Sequence, residues 1–461
     1  MSQSKKNCFI IPVANDFLVY SPTVGISALV NRTGVIELQE QLQLVCENKG
    51  NPDAKLFELA KDIVQSPVQP PIKRTGHLSP EFLGIITTRS CNGACIYCDF
   101  GADKGPEQKM SYELAVSAVD WYADLMNSHQ KEILDIHFFG GEPMVARDVI
   151  EVVVQRARLL AAQQNVTPMF EISTNGQYGV NDACFLGQYF NKVILSLDGF
   201  KEVQNKHRPL KANRSSFENA FETAKIISNS NAELCIRSCV SLENVFQMEE
   251  YTKWLCENFR LSAINFEILT TSPSSVSAGL YPPDPIDFAI HFEKSRGIAK
   301  DYGIEVIYAS DITRQLVVSS CPVGKDTAIV SPDGRISSCY LQPEKWQEVG
   351  LNLDLGLFNK DGDVQIESVK IGDIREMVEN KPRCKNCFCQ WSCAGGCHVG
   401  ITFPDCGIDY DNFCIQTRLI SAFTLLLNLG LTEKLKKLIE SPTALHFLAN
   451  QKTDSINDFI R

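Results

Sequence analysis

The sequence is best read outward from Arg89-Ser90-Cys91-Asn92-Gly93-Ala94-Cys95-Ile96-Tyr97-Cys98. Three cysteines, Cys91, Cys95 and Cys98, stand there at the spacing C-x3-C-x2-C. They directly follow Leu83-Gly84-Ile85-Ile86-Thr87-Thr88, an apolar run that predicts a buried strand with the cysteines on the loop at its C-terminal end. Thiolates on a tight loop suit an iron–sulfur cluster, and three of them leave one iron of a cubane free to hold a substrate. A zinc site or unrelated thiols are the alternatives at this point.

The composition indicates a large globular protein. Its 461 residues are enough for two or three domains, and 44% hydrophobic with 21% charged residues is typical of folded chains. A formal net charge of −11 argues against a nucleic-acid surface. No apolar run is long enough to span a bilayer, and Met1–Lys6 leads into too short an apolar stretch for a signal peptide. We therefore expect a cytoplasmic protein with no membrane and no nucleic-acid partner.

Cysteine usage indicates metal ligation rather than disulfides. The chain has 18 cysteines, and without a visible export signal we expect reduced thiols in a cytosol. Ten of them lie between Cys91 and Cys98 or between Cys321 and Cys397. The scattered ones, which fall in apolar patterns and are predicted to be buried small hydrophobes, are Cys8, Cys46, Cys184, Cys235, Cys239 and Cys256.

Residues 1–75 are predicted to form a small α+β unit. The predicted strands are Phe9–Ile11, Phe17–Tyr20 and Ile26–Val30. The predicted helices run through Val35–Val45, capped by Thr33, and through Leu56–Ile63. Strands followed by helices at this size resemble the winged-helix peptide-recognition domains of peptide-modifying enzymes, and Tyr20–Ile26 resembles their central turn. A plain N-terminal extension that packs on the next domain is the alternative.

From Leu83 to about Leu269 the sequence alternates between strand and helix patterns. The predicted strands are Ile85–Thr88, Leu134–Phe138, Met169–Ser173, Val193–Leu197, Leu234–Val240 and Ile264–Leu269. Helical patterns between them include Tyr112–Leu125, Val145–Ala162, Phe217–Ile227 and Met248–Phe259. Six such βα units predict a parallel sheet curled into a partial barrel, with its chemistry on the loops at the C-terminal strand ends.

The predicted fold class is α/β, a partial (β/α)6 TIM-like barrel at residues 80–305 with further domains on either side. The small N-terminal α+β domain, residues 1–75, is joined to it by the linker Ser66–Pro71. A cysteine-rich iron–sulfur domain is predicted at 306–414, where the alternation stops. An apolar-periodic helical cap is predicted at 415–461.

Three polar motifs stand at predicted strand ends. Gly140-Gly141-Glu142-Pro143 follows the second strand, where two glycines let the backbone approach a ligand and the Glu can match an amino group; a simple turn is the alternative. Ser173-Thr174-Asn175-Gly176 follows the third strand and can offer hydroxyl and amide contacts to a ribose, or cap the next helix. Ser196-Leu197-Asp198-Gly199 follows the fourth strand, before Arg208 and Arg214. An exposed salt bridge is the alternative role for either arginine.

Together these motifs resemble those of the radical S-adenosylmethionine (SAM) enzymes, including the aromatic Tyr97 just before the third cysteine. The resemblance implies that Cys91, Cys95 and Cys98 are the catalytic ligands of a [4Fe-4S] cluster that binds SAM. It also implies that the methionine amino group is held by Gly140, Gly141, Glu142 and Pro143. Further implied SAM contacts are Tyr97, Ser173, Asn175, Ser196 and Arg208, with Ser196 at the carboxylate and Arg208 or Arg214 as its counter-charge.

The last third of the chain resembles the SPASM domain, which binds two auxiliary iron–sulfur clusters in radical SAM maturases. The seven cysteines of the pattern are Cys321, Cys339, Cys384, Cys387, Cys393, Cys397 and Cys414. The resemblance assigns the distal cluster to Cys384, Cys387, Cys393 and Cys414, and the proximal cluster to Cys321, Cys339 and Cys397. The family often has a further cysteine before the first of the seven, and Asp311–Ser320 has none. The proximal cluster is therefore expected to have an open iron, another ligand or fewer irons.

Three nearby residues fall outside the seven-cysteine pattern. Cys389 and Cys406 are either extra ligands or spare thiols, of which the spare thiol is the simpler interpretation. His398, beside Cys397, is expected to donate a hydrogen bond behind the ligands rather than to bind metal.

The resemblance implies a peptide maturase as the function. Reductive cleavage of SAM would give a 5′-deoxyadenosyl radical that removes hydrogen from an unactivated carbon. We expect a ribosomally made precursor peptide as the substrate, recruited partly by residues 1–75, and a flavodoxin or ferredoxin as the electron donor. Auxiliary clusters suit an oxidative cross-link from a side-chain carbon to carbon, oxygen or sulfur.

Two alternatives stay open from the sequence. An anaerobic sulfatase maturase would oxidise Ser or Cys to formylglycine, but in that group an Asp, the expected base, follows the cysteine that corresponds to Cys339. Here Tyr340 follows it, either as a substrate contact or as a packed side chain. The other alternative is a non-catalytic zinc or iron–sulfur scaffold that binds partners, which would leave the strand-end motifs without a purpose.

Overall fold

The computed structural model describes residues 8–98, 100, 108–311, 315–381, 384–399 and 411–451. Its strands are β1 (Phe9–Val13), β2 (Asp16–Ser21), β3 (Ile26–Asn31), β4 (Leu83–Ile86), β5 (Ile133–Phe139), β6 (Thr167–Thr174), β7 (Lys192–Ser196), β8 (Glu233–Val240), β9 (Ala263–Ile268), β10 (Glu305–Ile307), β11 (Ala328–Val330), β12 (Arg335–Ser337), β13 (Asp354–Phe358) and β14 (Val364–Ile366). Its helices are α1 (Arg32–Cys46), α2 (Phe57–Gln65), α3 (Tyr112–Ser128), α4 (Arg147–Gln164), α5 (Val180–Tyr189), α6 (Lys201–His207), α7 (Phe217–Ser228), α8 (Met248–Asn258), α9 (Pro273–Ser277), α10 (Pro285–Asp301), α11 (Pro343–Gln347), α12 (Ser368–Glu379), α13 (Asn412–Asn428), α14 (Thr432–Ile439) and α15 (Pro442–Asn450).

The N-terminal part is an antiparallel sheet, β1–β2–β3, followed by α1 and α2 in the predicted order. Its two faces bury different side chains because neighbours along a strand point to opposite faces. Ile10 and Val19 pack with α1 and α2 in a core of their own, whereas Phe9 and Ile11 join the main core of the protein. Helix α15 contacts β1, so this sheet lies between its own helices and the C-terminal helices.

The cap of α1 differs from the prediction. Asn31, not Thr33, is the capping residue, because its side-chain oxygen accepts a 2.8 Å hydrogen bond from the amide of Gly34.

The large sheet has eleven strands in the order β10-β9-β8-β7-β6-β5-β4-β11-β12-β13-β14. All neighbours from β10 to β11 are parallel, and all six predicted strands are present among them. Strand β4 ends at Ile86, so the predicted residues Thr87 and Thr88 belong to the loop. Within the described residues the order is linear, with β10 and β14 at its two ends, so the sheet is an open one.

The C-terminal third is joined to the barrel sheet more closely than expected. The sequence shows no strand–helix alternation after about Ser310, yet β11 pairs in parallel with β4, and β12 to β14 continue the same sheet as antiparallel strands. Helix α13 begins at Asn412, before the predicted start of the helical cap at 415. None of the helices in the described ranges is both long and apolar enough to cross a lipid bilayer.

We call the space on the inner face of the parallel strands, the face turned away from the outer helices, the lumen. Ile236 on β8 belongs to the main core beneath the helices, so its neighbours Cys235 and Arg237 face the lumen. One small apolar cluster of the inner face comprises Cys235, Ile194, Ala263 and Ile307. A second comprises Ile86, Phe100 and Ile329, packed with Cys98, Phe139 and Tyr340. The cysteine loop therefore reaches the lumen through its third cysteine.

Candidate active site and auxiliary metal centres

The three-cysteine loop is fixed to the segment that follows α6. Ala94 donates a backbone hydrogen bond to the carbonyl of Pro209 (2.8 Å), and Ile96 donates one to the carbonyl of His207 (3.0 Å). Because both donors lie between the cysteines, the spacing of the thiols is set by a neighbouring part of the barrel as well as by the loop itself.

The thiols of this loop lie close together in a buried place. A Cβ atom on Gly93 would meet the sulfur of Cys91 at 3.5 Å and that of Cys95 at 3.8 Å, and the Gly93 amide donates to Cys91 Sγ at 3.3 Å. Burial raises the pKa of Cys91 to about 12, and the charges of Glu142, Cys95 and Cys98 add to the rise. Thiolates so placed repel one another unless a positive centre lies between them, as an iron–sulfur cluster provides.

The described side chains do not form a ready site for one metal ion. No three His, Cys, Asp or Glu side chains in the described part of the chain converge to hold one metal ion. A cubane cluster binds each thiolate on a different iron, so its ligands stand further apart than those of a zinc ion. The donor set of three neighbouring thiols is the one that the predicted cluster would need.

Gly140 and Gly141 let two loops come together. A Cβ on Gly140 would lie 2.6 Å from the carbonyl oxygen of Thr88, and one on Gly141 would lie 2.3 Å from that of Ser90. The Gly141 amide donates to Thr88 O (3.0 Å), and the next amide donates to Ser90 O (2.9 Å). These glycines therefore serve the contact between the end of β5 and the cysteine loop, and their flanking peptides lie directly beside the thiols.

Glu142 connects the ends of β5 and β6. Its buried carboxylate accepts hydrogen bonds from Thr174 Oγ1 (2.8 Å), the amide of Asn175 (2.7 Å) and the amide of Met144 (3.1 Å). Burial raises the pKa of Glu142 to about 7, while these hydrogen bonds and Arg208 oppose the rise. Pro143 begins the short 3-10 helix, Pro143–Ala146, that this carboxylate caps.

Two side chains of the polar motif at the end of β6, Asn175 and Ser173, point toward the site. Asn175 Nδ2 donates to Asn92 Oδ1 in the cysteine loop (2.8 Å) and lies 3.7 Å from Cys91 Sγ. Ser173 is paired in register with Ile194 of the inner-face cluster, so it faces the lumen. The structure thus brings both predicted residues to the cluster end of the lumen.

Tyr97, Asp198 and Arg208 form a buried polar cluster beside the cysteine loop. The Tyr97 hydroxyl donates to Asp198 Oδ2 (2.7 Å) and accepts from Arg208 Nη1 (2.5 Å), and Arg208 lies 3.8 Å from Asp198 Oδ1. Burial acts to raise the pKa of Asp198, but Arg208, His207 and Tyr97 outweigh it and hold that pKa below its usual value. Burial acts to lower the pKa of the Arg208 guanidinium. Negative neighbours, of which Cys95 has the largest effect, outweigh burial and keep that pKa well above its ordinary value.

The other candidates from this motif lie elsewhere. Arg214 is exposed and donates to the carbonyl of Lys211, so only Arg208 of the two arginines is near the cysteines. Ser196 pairs in register with Arg237 and faces the lumen two residues before Asp198. Asp198 itself was not singled out from the sequence, although it stands in the same motif and makes the contacts to Tyr97.

Tyr340 closes one side of the lumen. Its hydroxyl lies 2.8 Å from the place where a Cβ on Gly84 would be, and its ring packs on Phe139 at 4.7 Å between centroids. Burial raises the pKa of the phenol, with Glu171 and Asp135 adding to the rise. A neutral, packed side chain therefore stands directly after Cys339.

The residues assigned to the distal auxiliary cluster line one small cavity. The lining includes Cys384, Cys387, Cys389, Cys393, Cys414 and Arg418. Burial raises the pKa of Cys393 to about 12, and Cys384 and Cys387 add to the rise. All four predicted ligands thus meet in one place, and Cys389 is a fifth thiol there.

The residues assigned to the proximal cluster form a second group. Burial raises the pKa of Cys339 to about 12 and that of Cys321 to about 11, and Cys397 adds to both rises. His398 is buried and lies 3.2 Å from Ser319 Oγ through Nε2. Burial and Lys381 lower the pKa of His398 to about 3, and the predicted role behind the cysteines stays a prediction.

Some sequence expectations are corrected or lie outside the described ranges. Cys46 and Cys184 are exposed rather than buried. Cys239 and Cys256 are half-buried rather than buried, and the amide of Cys239 donates to Asp198 Oδ1 (3.1 Å). Cys406 lies outside the described residues.

The fold and site define a class, an open α/β barrel with a three-cysteine loop at its C-terminal strand ends. Residues 85–255 match the family model of the radical SAM superfamily, so this protein contains a radical SAM domain. It is 28% identical over 187 residues to the uncharacterized protein MJ0907 of Methanocaldococcus jannaschii, over 40% of this chain and 61% of the relative. It is 32% identical over 134 residues to a serine-type anaerobic sulfatase-maturating enzyme of Klebsiella aerogenes, over 29% of this chain and 33% of the relative. It is 22% identical over 202 residues to the radical SAM cyclopropyl synthase TigE of Paramaledivibacter caminithermalis, over 41% of each.

Solved structures share the fold over much more of the chain. The anSMEcpe protein with bound AdoMet superposes with a TM-score of 0.60 at 19% identity, over 78% of this chain and 98% of that one. The same protein with AdoMet and the Cp18Cys peptide gives a TM-score of 0.59 at 18% identity, over 77% and 99%. Streptococcus suis SuiB bound to S-adenosylmethionine gives 0.50 at 12% identity, over 87% and 95%. At these levels of identity, the similarity to the solved structures is a similarity of fold.

Proposed function

We propose that this protein is a SPASM-type radical SAM peptide maturase that acts in the cytoplasm. The proposal rests on one observation: residues from the ends of three strands come together around the loop that carries Cys91, Cys95 and Cys98. The Gly140–Gly141 peptides and Glu142 from β5, Asn175 from β6, and the Asp198–Arg208 pair after β7 all reach that loop. When bound, the cluster and SAM supply a 5′-deoxyadenosyl radical.

The protein's own residues would position SAM and exclude water. In this proposal Gly140, Gly141 and Glu142 receive its ammonium group, because a buried carboxylate and adjacent peptide oxygens are the local negative charges. Arg208 supplies the positive charge for its carboxylate. Pro143, Ser173, Asn175, Ser196 and Tyr97 complete the proposed SAM contacts.

The auxiliary clusters and domain limits belong to the same proposal. Two groups of cysteines, one around Cys393 and one around Cys339, each show mutual electrostatic effects expected of thiols that share a place. They support a distal and a proximal iron–sulfur cluster within a SPASM domain at 306–414, between the barrel at 80–305 and the cap at 415–461.

A peptide substrate is the inference drawn from relatives that act on or hold peptides. The anSMEcpe structures include a complex with a peptide, and SuiB shares the fold over 87% of this chain. We propose that residues 1–75 recruit a precursor peptide, that a flavodoxin or ferredoxin supplies electrons, and that the product is an oxidative cross-link.

A sulfatase maturase is the second candidate, because the curated matches include sulfatase-maturating enzymes at 32% and 31% identity. Formylglycine formation needs a base to take a proton from the substrate. Tyr340 stands where that group has its Asp, and its burial raises the phenol pKa, so it is a poor base at neutral pH. This favours the cross-linking maturase.

The experiment is an anaerobic assay of SAM cleavage. Reconstituted protein with dithionite and SAM should form 5′-deoxyadenosine, and a Cys91→Ala, Cys95→Ala, Cys98→Ala variant should lose that product while it keeps iron at the other sites. Bound zinc without SAM cleavage would instead identify a metal-binding scaffold. Formylglycine in a sulfatase peptide would establish the second candidate.

A further inference from the structure

Arg237 is the central charged residue of the lumen. It lies in the middle of β8 and pairs in register with Ser196 on β7 and Asn265 on β9. Because Ile236 lies in the outer core, all three of these side chains share the inner face. The register therefore places the Arg237 side chain on the inner face with Ser196 and Asn265.

The acidic residues of the inner face contact groups other than Arg237, and Asp135 lies 3.1 Å from His137 Nε2. Glu171 forms an ion pair with Lys192 (3.0 Å) and approaches His137 (3.6 Å). Glu267 accepts a hydrogen bond from Asn265 Nδ2 (3.1 Å).

Arg237, by contrast, has no counter-ion among the residues that the structure describes. No carboxylate of the described residues forms an ion pair with it, and its Nε is buried without a hydrogen-bond partner. Asn265 is also more than nine-tenths buried, and its Oδ1 has no partner. Arg237 as a whole is half-buried, so its outer guanidinium nitrogens stay accessible, whereas its Nε and Asn265 Oδ1 are a buried donor and a buried acceptor that a bound group could satisfy.

Arg237 lies below the level at which the SAM carboxylate would be held. Its own carbonyl accepts a hydrogen bond from the amide of Leu197, the residue before Asp198. Arg208, beside Asp198, is the positive charge at the level of the cysteine loop. Arg208 and Arg237 are therefore two separate positive groups, one at the cysteine loop and one deeper among the strands.

We infer that the deeper position holds an acidic residue of the peptide substrate, an inference that rests on the proposed function. The side-chain carboxylate binds the Arg237 guanidinium, and a backbone N–H of the same peptide donates to Asn265 Oδ1. An acidic residue satisfies both orphaned groups at once, and it brings the carbons of that residue into the lumen beneath the cluster.

The test compares two small probes that differ only in charge. Binding of N-acetyl-L-glutamate N′-methylamide and of its glutamine counterpart to the full-length protein is measured by ligand-observed NMR, with and without saturating SAM. The glutamate probe should bind and the glutamine probe should bind about tenfold or more weakly, since a hydrogen-bonded charge pair is lost. Arg237→Gln should weaken binding of the glutamate probe similarly, and Arg237→Lys should weaken it less. Arg158→Gln, an exposed arginine on α4, is the matched control and should leave binding unchanged.

Each other outcome overturns the inference. Equal binding of the two probes, no binding of the glutamate probe, or undiminished binding to Arg237→Gln would show that Arg237 does not recognise a carboxylate. Displacement of the glutamate probe by SAM would assign the position to the SAM carboxylate. Formation of 5′-deoxyadenosine by the wild-type protein tests the proposed function separately, because probe binding needs no SAM cleavage.

Discussion

The amide of Asn175 donates a 2.7 Å hydrogen bond to the carboxylate of Glu142, which joins the end of β6 to the end of β5. Asn175 in turn reaches the cysteine loop through its own side chain, 3.7 Å from Cys91 Sγ. The position of the first cysteine thus depends on a carboxylate at the end of the neighbouring strand, through a residue at the end of β6. Glu142 has a structural task in addition to any contact with SAM.

Glu142→Gln should destabilise the fold and loosen this end of the barrel. A glutamine has only one acceptor oxygen. Its side-chain NH₂ group would therefore face the backbone N–H of either Asn175 or Met144, and two donors cannot form a hydrogen bond with each other. An unsatisfied buried donor costs about 1–3 kcal/mol, which urea denaturation of wild type and variant would measure. Glu222→Gln, at an exposed position on α7, is the matched control. Equal denaturation midpoints for wild type and Glu142→Gln would contradict the assigned hydrogen bonds.

The same carboxylate predicts a pH dependence of stability. Burial, the largest cause, raises its pKa in the folded protein to about 7, from 4.5. Between pH 4.5 and about pH 7 the carboxyl has lost its proton in the unfolded chain but keeps it in the folded protein. The free energy of unfolding should therefore fall as pH rises from about 4.5 to about 7, and then level off. The Glu142→Gln variant should show a smaller slope in that window. Parallel slopes for wild type and variant would show that Glu142 does not titrate there.

Gly141→Ala should prevent assembly of the cysteine loop. Its Cβ would lie 2.3 Å from a backbone oxygen of Ser90, and no side-chain rotation can relieve a clash with backbone. We expect a loss of iron and SAM binding from the Cys91 site, measured by iron content and equilibrium dialysis. Gly297→Ala on α10 meets nothing within 4 Å and should be neutral or stabilising by up to ~1 kcal/mol. Normal iron content in Gly141→Ala would show that the two loops can separate without consequence.

The sequence predicts the barrel well because its signals are local. Buried parallel strands are short apolar runs, and all six expected ones are present. Strand β11 has only three residues, Ala328–Val330, and it pairs with β4 far away along the chain. No local pattern carries that pairing, so the close attachment of the cysteine-rich part to the barrel could not be foreseen.

The sequence likewise predicts only part of the candidate site. Spacing and family resemblance locate the cysteines and strand-end motifs, but not which side chain of a motif makes the contacts, as Asp198 shows. Arg237 and Cys239 lie in a strand whose alternate residues are apolar, and this hides them in a core pattern. An arginine inside a strand predicted to be buried was a usable signal, because such a charge needs a partner.

Asp198 and Arg208 should be energetically coupled. Asp198→Asn would leave the buried Arg208 guanidinium without its counter-charge, at a cost of about 3–5 kcal/mol. In a double-mutant cycle with Arg208→Gln, the double variant should be less destabilised than the sum of the single variants, by about 0.5–3 kcal/mol. Asp120 and Arg156 provide the control pair: they are partly exposed and hydrogen-bonded, and their coupling should stay below about 1 kcal/mol. Additive effects at Asp198 and Arg208 would contradict the contact.

Arg418 should tune the distal auxiliary cluster. Its buried guanidinium lies 3.7 Å from Cys387 Sγ through Nη1 and stacks over Phe388 at 4.9 Å, while Nη2 donates to the carbonyl of Gln451 at 3.2 Å. A positive charge beside the ligands favours the more negative, reduced state of a cluster. Arg418→Gln should therefore lower the midpoint potential of that cluster, measured by redox titration with electron paramagnetic resonance detection. Arg418→Lys keeps the charge and should shift the potential less. If Arg418→Gln retains the cluster with an unchanged midpoint, the guanidinium charge does not act on it.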